Sequence, residues 1–351
     1  MRLREFFVEK LSSLGIERIG TRIKEIVYSR DPIKAMALEV ANGRAYVLKG
    51  SANLNYSFTL DGKIVREKPQ AYVDKEGEVL FGKEIFETGN FPYIAIDCRF
   101  YDLHSEKERS KLRLQVTQTL GVIREFMWDG RLIVAGKDFG VGVYCEKLEE
   151  FLLSRGINEV VLLDPKGDEL FKKGDARCYV IGGIVDKGEN RYLTGAIGDE
   201  LEKAGIKCER QRIELRGDIV GVSDRINHIA EIVLKVVLDD VGVEEAVREV
   251  QPRVVAKWRL RKELPKKSVR LRVGDKTVRV VSKSVFKDFD WLNLQKSDFY
   301  DVCREQRLYL VSEKVMEEIK KLPWDEKKRF YTRNLSASFE NSSTTLSSPS
   351  K

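Results

Sequence analysis

The stretch Cys178–Gly188, CYVIGGIVDKG, decides how this chain is read. An apolar run broken by Gly182 and Gly183 and closed by Asp186 is too short for a helix and reads as a buried strand. Glycine inside a strand gives up packing, so another stretch of backbone or a ligand must come close there. A carboxylate at the carboxyl end of such a strand stands where ligands gather in open parallel sheets.

Outward from this strand the pattern alternates. YIAID (93–97), RLIVAG (131–136), EVVLLD (159–164) and KCERQRIEL (207–215) read as further strands. Between them lie helical segments. The longest has a capping box at Ser105 and Glu108, with Leu112, Val116, Leu120 and Ile123 on one face; the last, RINHIAEIVLKVVLDD (225–240), can be capped by Ser223 or Asp224. Strands alternating with amphipathic helices give an α/β fold, a mostly parallel sheet with helices on both faces.

Smaller α+β domains flank this core. Residues 1–88 begin with two short helices, Leu3 to Leu14 and Thr21 to Tyr28. MALEV (36–40), RAYVLKG (44–50) and NYSFTL (55–60) then alternate like strands, with Asp61-Gly62 as a hairpin turn and one more hairpin after it. The core domain spans 89–250. A basic domain spans 251–336, where VVAKWRL (254–260) and SVRLRVGDKTVRVV (268–281) alternate like strands and VSEKVMEEIKKL (311–322) reads as a helix. Residues 337–351, ASFENSSTTLSSPSK, lack the apolar content to fold.

Composition narrows the chemistry. No window approaches a membrane span, and the N-terminus lacks a signal-peptide pattern, so the expectation is an intracellular, cytoplasmic protein. Two histidines, His104 and His228, and five cysteines without paired spacing leave little for a metal site or a histidine-based triad. From Gln251 to Val280 eleven Lys or Arg face only Glu263 and Asp275. That local excess suits phosphate contacts, with Lys257, Trp258, Arg259, Arg261, Lys266 and Lys267 as the candidates and Trp258 as a stacking side chain; a solvated basic face with Trp258 in the core is the bland alternative. Arg113 and Gln118 on the long helix are candidates for the same kind of contact, with a solvated helix face as the alternative.

Asp97, Asp164 and Asp186 each stand at a strand end. Asp164, in LLDPKGD, has turn chemistry, whereas Asp97 and Asp186 follow apolar runs with less turn character. Neither a dinucleotide fingerprint nor a P-loop is present. Few reaction types remain, and one of them is group transfer from an activated cofactor, the protein supplying orientation and at most a proton acceptor.

AIDCRFYDLHSEKERSKLRLQ, VVLLDPKGDEL, CYVIGGIVDKG and RIELRGDIVGVSDRINHIAEI, in this order, resemble the Trm10-type tRNA methyltransferases of the SPOUT superfamily, particularly their archaeal branch. The resemblance covers roughly Phe91 to Asp240. It implies a C-terminal trefoil knot, S-adenosyl-L-methionine as methyl donor, N1 of the purine at position 9 of tRNA as target, and a monomer. It also implies that Leu163, Ile181, Gly182, Gly183, Leu215, Asp224 and Asn227 line the donor pocket, that Asp186 faces the target base, and that Asp97 is a second polar contact to it. Guanine, adenine or both can be the target. A tRNA-binding protein with a non-catalytic core of the same fold, and an unrelated nucleotide-dependent enzyme, are the competing readings.

Overall fold

The computed structural model describes residues 1–185 and 193–333. They fall into two compact units, one of Met1–Ile213 with Asp224–Ala246, the other of Glu214–Ser223 with Val247–Lys351.

The core of the first unit is a seven-stranded sheet: β1 (Tyr93–Asp97), β2 (Leu132–Ala135), β3 (Val143–Cys145), β4 (Glu159–Leu163), β5 (Glu169–Leu170), β6 (Cys178–Gly182) and β7 (Lys207–Arg212). Their order is β5-β7-β4-β6-β1-β2-β3, and every pairing is parallel. Parallel strands need covered faces, and the apolar runs supply both. On one face Tyr93, Ala95, Ile133, Val160, Leu162, Cys178 and Val180 pack beneath α2 (Leu148–Ser154) and α3 (Leu193–Lys203). The alternate residues, among them Ile94, Ile96, Val161, Tyr179 and Ile181, are equally buried on the other side. There α1 (Glu106–Phe126) and α4 (Ile226–Leu238) pack against each other, and α4 reaches β6.

The expected capping box of α1 is present, Ser105 and Glu108 bonding reciprocally. The start of α4 differs from expectation. Arg225, rather than Ser223 or Asp224, occupies the cap position and gives no side-chain cap. Instead the Ile226 N–H donates to Gln115 Oε1 of α1 at 2.9 Å. One helix thus supplies the acceptor that the other's first turn lacks.

The N-terminal domain is a six-stranded sheet with strands Ile64–Val65, Ser57–Thr59, Arg18–Thr21, Ala71–Asp74, Tyr46–Lys49 and Val79–Phe81 in spatial order. Gly62, at φ +95°, turns the expected hairpin. Three expectations fail here. MALEV lies in the helix Pro32–Ala41, capped by Asp31, with Ile33, Met36, Ala37, Val40 and Ala41 buried at helical spacing. Five residues alternate by chance; ten at helical spacing do not. Thr21 ends a strand, leaving only the single turn Lys24–Val27 helical. The later "hairpin" is two strands that each pair with Tyr46–Lys49 between them.

The second unit carries a five-stranded sheet of β8 (Val269–Val273), β9 (Lys276–Ser282), β10 (Leu308–Val311), β11 (Trp324–Asp325) and β12 (Phe330–Arg333), ordered β10-β9-β8-β12-β11. β8 and β9 form the expected hairpin through Gly274, at φ +58°. VVAKWRL is not a strand. It lies in α5 (Arg253–Glu263), whose buried Ala256 and Leu260 repeat at four residues, with Leu264 next in the series. Helices α6 (Lys296–Glu305) and α7 (Glu313–Lys320) complete this unit.

Candidate active site

Register brings the strand-end residues together. Leu163 of β4 lies beside Ile181 of β6 on one side and Gln211 of β7 on the other. Ile181 lies beside Ile96, and Gly182 beside Asp97. The strand-end residues Leu163, Ile181, Gly182 and Asp97 therefore form one row at the carboxyl edge of the sheet, the ligand edge of such folds.

The two glycines answer to different neighbours. Gly183 is buried, its N–H donating to the Asp97 carbonyl at 2.7 Å. A Cβ there would stand 2.5 Å from Cys98 Sγ and 2.9 Å from the Asp97 carbonyl oxygen. The close approach that this glycine permits is thus with the chain's own backbone. At Gly182 a Cβ would meet only side-chain ends: Ile184 Cδ1 at 3.2 Å, Thr194 Oγ1 at 3.3 Å and Ile197 Cδ1 at 3.4 Å.

Asp97 is 1% exposed. Its carboxylate accepts from the Arg99 backbone N–H at 3.0 Å, from Arg99 Nε at 3.0 Å and from Nη2 at 2.7 Å, and Arg99 Nη2 also bonds Glu149 at 2.8 Å. A buried carboxylate held by a guanidinium fork is an anchor, since freeing it would strand two charges. This geometry gives Asp97 the task of fixing the strand end. Burial, then the charge of Asp97, pushes the adjacent Cys98 thiol up, so it stays protonated and inert.

Asp164 makes the expected turn: its carboxylate accepts the Lys166 N–H at 2.9 Å. Asp186 lies outside the described residues. Val185, just before it, donates its N–H to His104 Nε2 at 3.3 Å, and Nδ1 faces the Phe100 carbonyl at 3.1 Å. Through these two contacts His104 braces the end of the glycine strand. Its place in the YDLHSEKE segment was the only signal in the sequence.

Among the described residues two buried acceptors here have no hydrogen-bond partner: Asn227 Oδ1 in the first turn of α4, and Gln211 Oε1 beside Leu163. An unmet buried acceptor costs about 1–3 kcal/mol, so a donor such as a nucleoside amine or hydroxyl would be favoured. Asn227 was expected from the sequence; Gln211, in a strand of alternating charge, was missed. Asp224 is exposed. Leu215 belongs to the second unit, where it is fully buried and its N–H and carbonyl bond Asp218 across a turn.

The residues expected to meet RNA divide sharply. Arg113 and Gln118 project from the exposed face of α1. Arg259 is 3% exposed and donates to the Val220 carbonyl at 2.8 Å and the Arg216 carbonyl at 3.4 Å, tying the loop 214–223 to α5. It is a structural tie within the second unit. Lys257 pairs with Asp301 at 3.2 Å, Arg261 with Glu305 at 2.8 Å, Lys266 with Glu263 at 2.9 Å and Lys267 with Asp288 at 3.1 Å. Trp258 is 60% exposed.

Among the described residues no helix is long and apolar enough to cross a membrane. The sequence matches two family models, the N domain of tRNA (guanine(9)-/adenine(9)-N1)-methyltransferase over residues 4–88 and its C domain over 257–334. It is 38% identical over 341 residues to the tRNA (guanine(9)-/adenine(9)-N1)-methyltransferase of Thermococcus kodakarensis, covering 91% of this chain and 92% of that protein. Against the tRNA (adenine(9)-N1)-methyltransferase of Sulfolobus acidocaldarius it is 34% identical, over 72% of this chain and 85% of the relative. The fold matches the crystal structure of a dual specific Trm10 from Thermococcus kodakaraensis with TM-score 0.56 and 29% identity, over 70% of this chain and 99% of the other. It also matches Sulfolobus acidocaldarius Trm10 in complex with S-adenosylhomocysteine with TM-score 0.61 and 24% identity, over 87% and 99% of the two chains. With a relative of this identity aligned along nine-tenths of its length, the chain belongs to the archaeal Trm10 family of tRNA (guanine(9)-/adenine(9)-N1)-methyltransferases, in the SPOUT superfamily.

Proposed function

We propose that this protein transfers a methyl group from S-adenosylmethionine to N1 of the purine at position 9 of tRNA, working in the cytoplasm as a monomer. The observation that carries the reading is the strand-end row with two unmet buried acceptors, in a chain of this family. The donor, when bound, supplies an activated methyl carbon on sulfonium. Leu163, Ile181 and Gly182 form the floor of its pocket, with Asn227 and Gln211 accepting hydrogen bonds from its nucleoside. Asp224 is a further lining residue in this proposal.

Asp186 has the proton work. Guanine N1 bears a hydrogen that must leave as the new N–C bond forms, so the carboxylate takes that proton. Neutral adenine N1 has a free lone pair, and there the carboxylate orients the exocyclic amine. His104 and the Asp97–Arg99 pair fix the backbone from which Asp186 extends.

The test uses two matched tRNAs with G9 or A9, labelled donor, and mass spectrometry of the nucleosides. The expected products are N1-methylated purine at position 9 of one or both. Asp186→Asn lowers the rate on G9 tRNA about a hundredfold or more, with donor affinity little changed. Absence of methylated purine from both tRNAs sinks the proposal.

A further inference from the structure

The net positive charge of residues 251–280 resolves, side chain by side chain, into two groups. On α5 and the segment after it the cations are spent within the unit: Lys257, Arg259, Arg261, Lys262, Lys266 and Lys267 all have carboxylate partners. The β8–β9 hairpin differs. Its register sets Arg270 directly opposite Arg279, and Arg272 opposite Thr277. In a strand pair, residues directly opposite share a face, so Arg270, Arg272, Arg279 and Thr277 lie together. The alternate positions Val269, Leu271, Val273, Val278 and Val280 face the other way, into the cluster with Val311, Met316 and Ile319.

None of the three arginines has a carboxylate partner among the described residues. Arg270 donates to the Lys328 carbonyl at 3.2 Å. Arg272 donates to the Gly274 carbonyl at 3.0 Å and lies over the Phe330 ring at 5.8 Å. Carbonyls satisfy N–H groups but leave the charge uncompensated. Like charges directly opposite on neighbouring strands are destabilising, so this face stores a repulsion that an anion would relieve.

We infer that the arginine face of the β8–β9 hairpin is a docking surface for the sugar-phosphate backbone of tRNA, and that it, rather than the cations of α5, carries the second unit's electrostatic grip. This rests on the tRNA substrate proposed above. Three features favour an RNA backbone over an acidic peptide or a membrane surface. Guanidinium forks match phosphate oxygens bidentately. Arg270 and Arg272, two residues apart on one strand, sit about 7 Å apart, a spacing suited to neighbouring phosphates. Phe330, the aromatic ring beneath, is only 6% exposed, so the face offers no apolar anchor to lipid.

The full-length protein tests this with unmodified tRNA. Binding is measured over a series of KCl concentrations for the wild type, for Arg270→Gln/Arg272→Gln/Arg279→Gln, and for the comparison set Lys257→Gln/Arg261→Gln/Lys267→Gln. Each phosphate contact contributes roughly 0.7–0.9 to the slope of log affinity against log salt, so the hairpin set flattens it by about 2–3. The comparison set changes it by less than about 1. KM for tRNA rises about tenfold or more in the hairpin set, while kcat at saturating tRNA holds. Restoring charge as lysine at all three positions recovers the slope. If the triple variant folds poorly, Arg279→Gln alone, at an exposed position, decides through a fall of roughly 0.7–0.9.

An unchanged slope, or a loss confined to the comparison set, overturns the inference, as does loss of binding to polyglutamate with tRNA binding intact. A wild type that binds tRNA with the expected slope yet transfers no methyl would sink the proposed activity and leave this surface standing.

Discussion

Replacing Gly183 by alanine is the sharpest test of how the strand end is built. The new methyl would lie 2.5 Å from Cys98 Sγ, 2.9 Å from the Asp97 carbonyl oxygen and 3.0 Å from Cys98 Cα. Two of these three are backbone atoms, so no rotamer change clears them. Restoring ordinary contact needs the strands to part by nearly ~1 Å, which stretches the Gly183 N–H bond to the Asp97 carbonyl, now 2.7 Å, to roughly 3.6 Å and breaks it. Overpacking of this kind costs about 1–3 kcal/mol and the lost hydrogen bond about 1 kcal/mol, so Gly183→Ala should lose about 2–4 kcal/mol. In a unit of this size that is a fall in Tm of about 4–16 °C, read by thermal or urea unfolding.

Gly182→Ala is the built-in comparison, because its methyl meets only the movable ends of Ile184, Thr194 and Ile197. It should cost less than about 1.5 kcal/mol. Cys98→Ala in the Gly183→Ala background removes the nearest atom and leaves the two backbone clashes, so rescue should be partial. If Gly183→Ala is as stable as the wild type, or Gly182→Ala is the more damaging, the reasoning about this strand end is wrong.

Other outcomes follow from the same geometry. Gln115→Ala leaves the buried Ile226 N–H without its acceptor and should cost about 1–2 kcal/mol in urea unfolding, whereas Gln115→Glu, which keeps an acceptor at a helix N-terminus, should retain most of the stability; equal losses would refute the capping role. Against the cost of burial, the Gln295 N–H and the Arg253 fork hold the Asp298 carboxyl below its usual range. A carboxyl whose folded pKa is depressed contributes stability above its unfolded pKa, near 3.9, and loses it as pH falls through the folded value. Asp298→Asn should therefore be less stable than the wild type at pH 6, with the difference shrinking below about pH 4; a difference independent of pH would contradict this.

The core was legible in the sequence because parallel strands buried on both faces must be nearly all apolar, and runs such as EVVLL and CYVIG cannot be much else. The capping box of α1 was legible for the same local reason. Local patterns failed where the window was too short, as with MALEV and VVAKWRL, each read as a strand yet lying inside a longer helical repeat. They failed again where partners are distant. Net charge registers Lys257 and Arg261 but not Asp301 and Glu305, some forty-four residues away, which neutralise them. Gly183 illustrates the limit within the candidate site: sequence demanded a close neighbour, and only the register of β6 beside β1 identified it as the Asp97–Cys98 backbone.

The loop 214–223 is counted with the second unit although the segment that follows it returns to the first. Its tie, Arg259, is encoded thirty-nine residues after Val220, whose carbonyl it holds. At a synthesis rate of about 5–20 residues per second, the ribosome leaves that carbonyl without its guanidinium for roughly 2–8 s. Gln251, whose Nε2 donates to the Gly221 carbonyl, is made earlier and holds the loop first. A stop codon before Gln251 should thus produce a protease-sensitive loop even when every residue of the parallel sheet has been made.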